Sequence, residues 1–161
     1  MKMYRLQIGE KEYSYPEGTT YLQVAESFQE QFDHAIVLVK LDGNKLQELR
    51  KPIQKDSRLE FITTGDNVGM ETYKRSMCLM LVKAIYDVSD RAEIEKVRID
   101  FSIGKGYYCL VDGNVKLTEV WLSKVEARMR QMIAEKMPIE KRTQKMKMES
   151  IIQQQRNLQD L

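Results

Sequence analysis

The hydrophobic residues of this chain follow two different periods, and the order of these periods limits the folds that it can adopt. Apolar and polar residues alternate in Met3–Ile8 and again in Lys11–Tyr15, on either side of a Gly9-Glu10 turn, and this predicts a β-hairpin. The period then changes to that of an α-helix, with apolar side chains at offsets of 0, 3, 4, 7 and 11, namely Tyr21, Val24, Ala25, Phe28 and Phe32.

Thr20 and Gln23 have the spacing of a capping box, which predicts that the helix begins after Thr20. Strand-like segments follow this predicted helix. The β-branched run Ala35–Leu41 predicts a buried central strand, and Lys45–Leu49 returns after a tight turn. Arg58–Thr63 closes this part of the chain as a fifth strand. The order ββαβ(β)β, with one helix across a mixed sheet, predicts a ubiquitin-like β-grasp over residues 1–64.

The second half of the chain predicts a helix, two antiparallel strands and a second helix. Apolar side chains at helical spacing define one face of the first helix, and they are Tyr73, Met77, Met80, Leu81, Ala84, Ile85 and Val88. Glu95–Ile103 and Tyr107–Val111 alternate as strands around a turn at Gly104-Lys105-Gly106. Thr118 is expected to cap a helix that runs to about Lys136, with these inward-facing side chains: Trp121 or Leu122, Val125, Met129, Met132 and Ile133. The predicted fold class is therefore α+β, with domains at 1–64 and 65–137 and a continuation at 138–161.

Composition excludes several classes of protein. The 161 residues carry a formal net charge of only +2, which argues against a strongly basic nucleic-acid-binding arm. The apolar runs are shorter than the roughly 18 residues of a membrane span, and the two cysteines lack metal or disulfide spacing. We therefore expect a cytoplasmic protein that contacts neither membrane nor DNA. Residues 122–161 hold nine basic and five acidic side chains, which predicts a solvated, partly helical continuation or, less favoured, a contact with a polyanion.

Residues 1–64 resemble a TGS domain. The resemblance rests on "PEGTT" before the helix, on "AIVLVKLDGNKLQELRKPI" after it, and on "DSRLEFIT" at the last strand. TGS domains are small β-grasp modules of threonyl-tRNA synthetases, certain GTPases and stringent-response enzymes. The resemblance implies a regulatory or recognition appendage without catalysis.

Residues 72–133 resemble the second N-terminal domain of threonyl-tRNA synthetase. The family pattern is kept at its scaffold positions, which are Ser76, Leu81, Ala84, Gly106-Tyr107-Tyr108, Leu117-Thr118, Val125-Glu126 and Met129. The family has paired histidines four residues apart on one helix face, and this chain has Arg75 and Leu79 there. Arginine only donates hydrogen bonds and leucine has no polar atom, so we expect no proofreading hydrolysis of mischarged tRNA. An editing-domain fragment, or a free-standing relative of the synthetase, is the alternative.

The chain also resembles the N-terminal region of bacterial nucleoside kinases of the uridine kinase type. Gly69–Ser76 and Leu79–Leu81 match that version of the helix better than the histidine version, Tyr107-Tyr108-Cys109 stands close to its "G-x-Y-C" strand, and Met137–Lys141 looks like its continuation. The resemblance implies that the partner is a C-terminal kinase domain, absent from this chain, and that ATP and Mg belong only to that domain. The chain has no GxxxxGK[ST] motif, so we expect no phosphoryl transfer by it alone.

Four side chains are candidate contacts for a nucleotide or RNA ligand: Tyr73, Arg75, Tyr107 and Tyr108. Arg75 suits an anionic ligand, although a solvated or ion-paired arginine is the favoured interpretation. His34 is expected to be a capping or solvent-exposed residue, and Cys78 and Cys109 are expected to be inert core thiols. No residue is assigned to catalysis, to a cofactor or to a metal. A stand-alone RNA-binding module remains a further alternative.

Overall fold

A computed structural model describes residues 2–103 and 106–139. Among these residues, the first part of the chain contributes five strands and one α-helix, and the second part contributes a helix, two strands and a helix. The elements in chain order are β1 Met3–Ile8, β2 Lys11–Pro16, α1 Tyr21–Phe28, β3 Ile36–Leu41, β4 Lys45–Glu48, β5 Ser57–Thr63, α2 Asn67–Val88, β6 Ile94–Ile103, β7 Gly106–Gly113 and α3 Glu119–Ala134.

Strands β1 to β5 form one mixed sheet in the order β2-β1-β5-β3-β4. The strands β1 and β5 run parallel, and the other neighbours are antiparallel. Strands β6 and β7 form a separate antiparallel ribbon. The predicted α+β class with antiparallel strands is confirmed, whereas the TGS assignment and the division into domains stay predictions.

The core of the five-stranded sheet lies between its strands and α1. Leu6, Val24, Val39 and Leu59 are almost completely buried, and each contributes about 1.5–3 kcal/mol relative to an exposed position. The predicted capping box is present, since the Gln23 N–H donates to Thr20 Oγ1 (3.3 Å) and the Thr20 N–H donates to Gln23 Oε1 (2.9 Å). These contacts fix where α1 begins.

Helix α1 ends earlier than its apolar period predicts. A single 3₁₀ turn, Gln29–Gln31, follows Phe28, so Phe32 lies outside the helix. The Gln29 side chain accepts from the Ile36 N–H (2.9 Å) and donates to the His34 carbonyl (3.0 Å). These bonds satisfy backbone groups of the loop between α1 and β3, and α1 does not continue beyond Phe28. Phe32 still meets the core, edge-on to Phe61 at a centroid distance of 5.6 Å.

The start of α2 packs closely on the end of the five-stranded sheet. The Thr63 N–H and hydroxyl both donate to Asp66 Oδ2, at 2.8 and 3.0 Å, and these bonds lower the pKa of Asp66. A side chain on Gly69 would collide with the Thr63 carbonyl oxygen, and one on Gly65 would meet the His34 ring. The predicted boundary at residue 64 therefore falls inside a tight contact.

A second core joins α2, α3 and the ribbon. It is built around Ala84, Ile85, Ile94, Val125 and Met132, all of which are buried. The predicted inward position of Ile133 is wrong, because its side chain is 59% exposed. Of the alternatives Trp121 and Leu122, Trp121 packs against this core, whereas Leu122 is 57% exposed. Tyr73, on the predicted apolar face of α2, is 46% exposed. Both helices carry apolar side chains beyond one stripe, so the period alone does not identify the buried face.

Part of the prediction lies outside the described residues, namely the turn at Gly104-Lys105 and residues 140–161. Within the part of the chain that is described, no helix combines the length and apolar character needed to cross a membrane.

Candidate functional site

A cleft of about 410 Å³ lies between α2, α3 and the segment that follows α3. We call it the α2–α3 groove. Its lining is mostly apolar, with two lysines, and consists of Ser76, Met77, Leu79, Met80, Lys83, Met132, Ile133, Lys136, Met137, Pro138 and Ile139. The groove is thus built from two helix faces and a short stretch of irregular chain.

The two helices of the groove run antiparallel, as shown by polar contacts that join the end of α2 to the start and the middle of α3. Trp121 Nε1 donates to Ser89 Oγ at 2.8 Å, and Arg128 Nε donates to Asp87 Oδ2 at 2.9 Å. Lys83 Nζ lies 2.8 Å from the other oxygen of the Asp87 carboxylate. Lys83 first, and Arg128 after it, holds the pKa of Asp87 below its usual range. These contacts fix the helix pair that frames the groove.

The chain reversal after α3 closes one end of the groove. Lys136 has a positive φ of 50°, and its N–H donates to the Ile133 carbonyl at 3.0 Å. The Met137 N–H donates to the Met132 carbonyl, also at 3.0 Å. This pair of bonds is the Schellman motif that ends many helices, with lysine at the position where glycine is usual. The reversal brings Met137, and after it Ile139, against the end of α3.

Of the two residues at the positions where the resemblance places paired histidines, one lines the groove. Leu79 is 54% exposed and forms part of the groove wall. Arg75 precedes it by four residues, so it lies one turn earlier on the same face of α2 and is exposed. Tyr73 lies near the same end of α2 and is also exposed. At position 79 the groove therefore presents methyl groups where the resemblance places an imidazole.

The other two candidate contacts lie on β7 and do not join the groove. The pKa of Lys74 is raised, first by its hydrogen bond with Glu71 and to a smaller extent by Tyr107, so Tyr107 lies near α2. Tyr108 is the next residue of the strand and lies on its opposite face. Burial raises the pKa of the Cys109 thiol, and Cys78 of α2 adds to this effect. None of the four candidate residues is part of the groove lining, and Tyr107 lies near Lys74, the residue between Tyr73 and Arg75. Their role as ligand contacts stays a prediction.

Sequence reasoning missed the wall formed by Met137, Pro138 and Ile139. The sequence pattern identifies Pro138 only as the residue that stops α3. A helix stop followed at once by apolar residues is the signal that the chain turns back onto a surface.

A second, smaller cleft of about 220 Å³ lies on the five-stranded sheet. Tyr21 forms part of its lining, and its pKa is raised by burial and by the nearby Asp42 carboxylate. The other lining residues are Leu41, Lys45, Gln47, Lys51, Pro52, Gln54 and Lys55. Lys55 pairs with Asp42 at 2.6 Å. We call this the lysine cleft, and sequence reasoning did not predict it.

Comparison with known proteins indicates a class for this arrangement. No model of a known protein family matches the chain. Threonine–tRNA ligases of several bacteria, however, are similar to it over most of its length. The ligase of Desulforamulus reducens is 30% identical over 127 residues, which is 79% of this chain and 19% of the ligase. The ligase of Oceanobacillus iheyensis is 30% identical over 130 residues, covering 81% of this chain and 20% of the relative.

A third relative agrees with these two. The threonine–tRNA ligase of Thermotoga maritima is 31% identical over 133 residues, covering 82% of this chain and 20% of the ligase. The chain thus spans about a fifth of the length of the curated relatives it matches. The resemblance to threonyl-tRNA synthetase is confirmed as a similarity over most of the chain. None of these three relatives supports the nucleoside-kinase interpretation.

Proposed function

We propose that this chain is a non-catalytic recognition region of the threonyl-tRNA-synthetase type, without proofreading activity. The observation that carries the proposal is the position of Leu79 in the wall of the α2–α3 groove, with Arg75 one turn earlier on the same helix face. These are the two positions where the resemblance places the paired histidines.

The chemistry of the groove supports this proposal. Two histidines at i and i+4 act together on a water or a metal because both point the same way from one helix. Arg75 is permanently charged and cannot accept a proton, and Leu79 has no polar atom. Of the two lysines in the groove lining, Lys83 is already paired with Asp87. The groove therefore lacks a general base at the positions that the family uses.

A recognition role requires a surface for an anionic ligand, and the lysine cleft supplies one. Lys45, Lys51 and Lys55 line it together with two glutamine side chains. Asp42 neutralises only Lys55 among the ion pairs found in the described residues. Lysines act as point charges toward phosphate, and amides add hydrogen bonds. An RNA backbone or a nucleotide phosphate is the ligand class that fits this lining.

Binding of threonine tRNA tests the recognition role. We expect the chain to bind the tRNA with an affinity that falls as salt rises from about 50 to about 200 mM, because phosphate contacts release counterions. Absence of binding at low salt would overturn the RNA-recognition role. Salt-independent binding would contradict the part assigned to the lysine cleft.

A second candidate is a recognition region carried by a nucleoside kinase. Gly69 favours it, because the glycine of the kinase-type pattern "G-x-x-T-Y-x-R-S" is the residue that allows α2 to approach the Thr63 carbonyl. Arg75 is the arginine of the same pattern. In such a parent, a separate kinase domain would bind ATP and Mg. The reading frame beyond Leu161 discriminates the two: a P-loop motif supports the kinase parent, and a class II synthetase core supports the first proposal.

A further inference from the structure

The lysine cleft contains a buried tyrosine whose polar group is unused. Tyr21, the first residue of α1, is only 3% exposed and yet lines the cleft. Its hydroxyl has no hydrogen-bond partner in the described part of the chain. A fully buried side-chain oxygen without a partner is found there at Ser57 and not at Tyr21, so the Tyr21 oxygen reaches the surface at the cleft. Burial, and after it the Asp42 carboxylate, raises the pKa of Tyr21, so this hydroxyl keeps its proton and can donate.

The first N–H groups of α1 are not available to a ligand in this cleft. The Tyr21 N–H donates to the Lys51 carbonyl at 3.1 Å, and the Leu22 N–H donates to the Leu49 carbonyl at 2.6 Å. The next N–H, from Gln23, is taken by the capping box. These bonds also fix the segment that carries Lys51 against the start of α1. An anion in the cleft is therefore held by side chains.

The charge of the cleft comes from three lysines and one carboxylate. Lys45 lies on β4, at the edge of the sheet, and Lys51 and Lys55 lie on the segment between β4 and β5. The Asp42 carboxylate accepts from Lys55 Nζ at 2.6 Å and from the Arg58 N–H at 3.0 Å. Asp42 thus neutralises one lysine. Two positive charges remain for a ligand, on Lys45 and Lys51.

The cleft is too small to enclose a large ligand. Its volume of about 220 Å³ is below the roughly 300–1,000 Å³ of clefts that bury a drug-sized molecule. It therefore suits a phosphate group with the sugar attached to it. Gln47, which lies on the same face of β4 as Lys45, and Gln54 add amide donors and acceptors that suit sugar hydroxyls.

We propose that the lysine cleft binds a terminal phosphate monoester, the group that ends a free nucleotide or the 5′ end of an RNA chain. This inference rests on the recognition role proposed above. A phosphate monoester carries about 1.5 to 2 negative charges at neutral pH, which matches the charge of Lys45 and Lys51. A phosphodiester inside an RNA backbone carries about one. The Tyr21 hydroxyl donates to a phosphate oxygen, and the base stays outside the cleft.

Three adenosine compounds that share a base and a sugar test the charge match on the full chain. They are adenosine 5′-monophosphate, adenosine 3′,5′-cyclic monophosphate, which is a diester, and adenosine itself. We expect the monoester to bind about tenfold more tightly than the diester, the size of one charge-assisted hydrogen bond, and adenosine to bind least. Uridine 5′-monophosphate should match the adenosine monoester. Shifts of the Gln47 and Gln54 amide NMR signals follow the binding.

A charge variant with a matched control connects this preference to the cleft. Lys45→Gln/Lys51→Gln should abolish the preference for the monoester over the diester. Both lysines are exposed, so the fold should persist, and amide signals outside the cleft report it. Lys116→Gln/Lys124→Gln removes equal charge from the second half of the chain and should keep the preference.

A second variant removes one oxygen atom from the cleft. Tyr21→Phe keeps the buried ring and should weaken monoester binding about threefold to tenfold, because one donor to the phosphate is lost. Tyr13→Phe removes a hydroxyl on β2, outside the cleft lining, and should leave the affinity unchanged. Equal effects of the two variants would contradict the contact assigned to Tyr21.

Threonine tRNA with and without its 5′-phosphate distinguishes the two sources of the monoester. Weaker binding after removal of the phosphate supports the RNA end, and unchanged tRNA binding beside tight monoester binding supports a free nucleotide. Absence of monoester binding, equal binding of monoester and diester, or a preference that survives Lys45→Gln/Lys51→Gln would overturn this inference, while salt-dependent tRNA binding would still support the proposed function. Monoester preference without any tRNA binding would instead overturn the RNA-recognition role alone.

Discussion

Arg128 of α3 donates a 2.9 Å hydrogen bond to the Asp87 carboxylate of α2, and Lys83 holds the other oxygen of that carboxylate at 2.8 Å. The side chains of Asp87 and Arg128 are only 24% and 22% exposed. This contact connects the two helices beside the groove. It has a direct consequence for stability as a function of pH.

Replacing Asp87 with asparagine should destabilise the fold by about 0.5–1 kcal/mol at neutral pH, the size expected for a partly exposed ion pair. The pKa of Asp87 is lowered in the folded state, so its contribution is fully present above the unfolded pKa of about 4 and is lost as the pH falls through the lower folded value. Urea unfolding of both proteins at pH 7 and near pH 3 measures this difference.

The two curves should therefore converge at the acidic end. A difference that stays constant down to pH 3 would contradict the role of the ionised carboxylate. Glu126→Gln is the control, because the Glu126–Arg130 pair is exposed and should change stability less.

Gly69→Ala should destabilise the protein by about 1–3 kcal/mol, the usual cost of forcing an atom into a packed site. The added methyl group would collide with the Thr63 carbonyl and press on Val37. Alanine has a higher helix propensity than glycine, so Gly69→Ala should stabilise the protein if this contact is absent. Thermal unfolding of Gly69→Ala beside Val68→Ala, an exposed neighbour expected to be near neutral, distinguishes the two results.

Lys136→Gly should stabilise the protein by about 0.5–1 kcal/mol. Lys136 holds a left-handed backbone at the end of α3, and glycine adopts that conformation without a steric cost. The gain is reduced by the greater freedom of glycine in the unfolded chain. The same substitution in mid-helix, Lys124→Gly, should instead cost about 1 kcal/mol. Chemical unfolding measures the stability of both variants. A loss of stability in Lys136→Gly as well as in Lys124→Gly would contradict the left-handed conformation assigned to Lys136.

Lys45→Gln/Lys51→Gln should weaken binding of threonine tRNA and lower the slope of its salt dependence by about two, one for each phosphate contact. Filter binding over a salt series gives the slope. The control pair Lys116→Gln/Lys124→Gln removes equal charge from the second half of the chain and should leave most of the slope. Equal effects of the two pairs would mean that net charge, and not the lysine cleft, holds the RNA.

Local patterns predicted most of the secondary structure. The capping box at Thr20 and the alternation in β1 and β2 each depend on residues close in sequence, and both are present in the structure. The end of α1 could not be predicted, since it depends on bonds between Gln29 and the later residues His34 and Ile36. Local sequence carries no signal for such partners.

The groove illustrates the same limit. Ile133 fits the inward spacing of α3, yet it lies 59% exposed at the groove because no described residue covers it. Leu79 stands out in the sequence only through a family pattern, and only the structure shows that it lines a cleft with residues more than 50 positions away. Periodicity defines a face of a helix, but the tertiary partners decide whether that face is buried.

Hydrolysis of mischarged threonine tRNA tests the central claim most directly. The chain is incubated with the mischarged tRNA, and the loss of the amino acid is followed beside buffer alone and beside a threonine–tRNA ligase that carries the paired histidines. With Arg75 and Leu79 at the two positions, we predict loss at the buffer rate. Turnover above the buffer rate, abolished by Arg75→Gln, would contradict the claim that the groove has no proofreading chemistry.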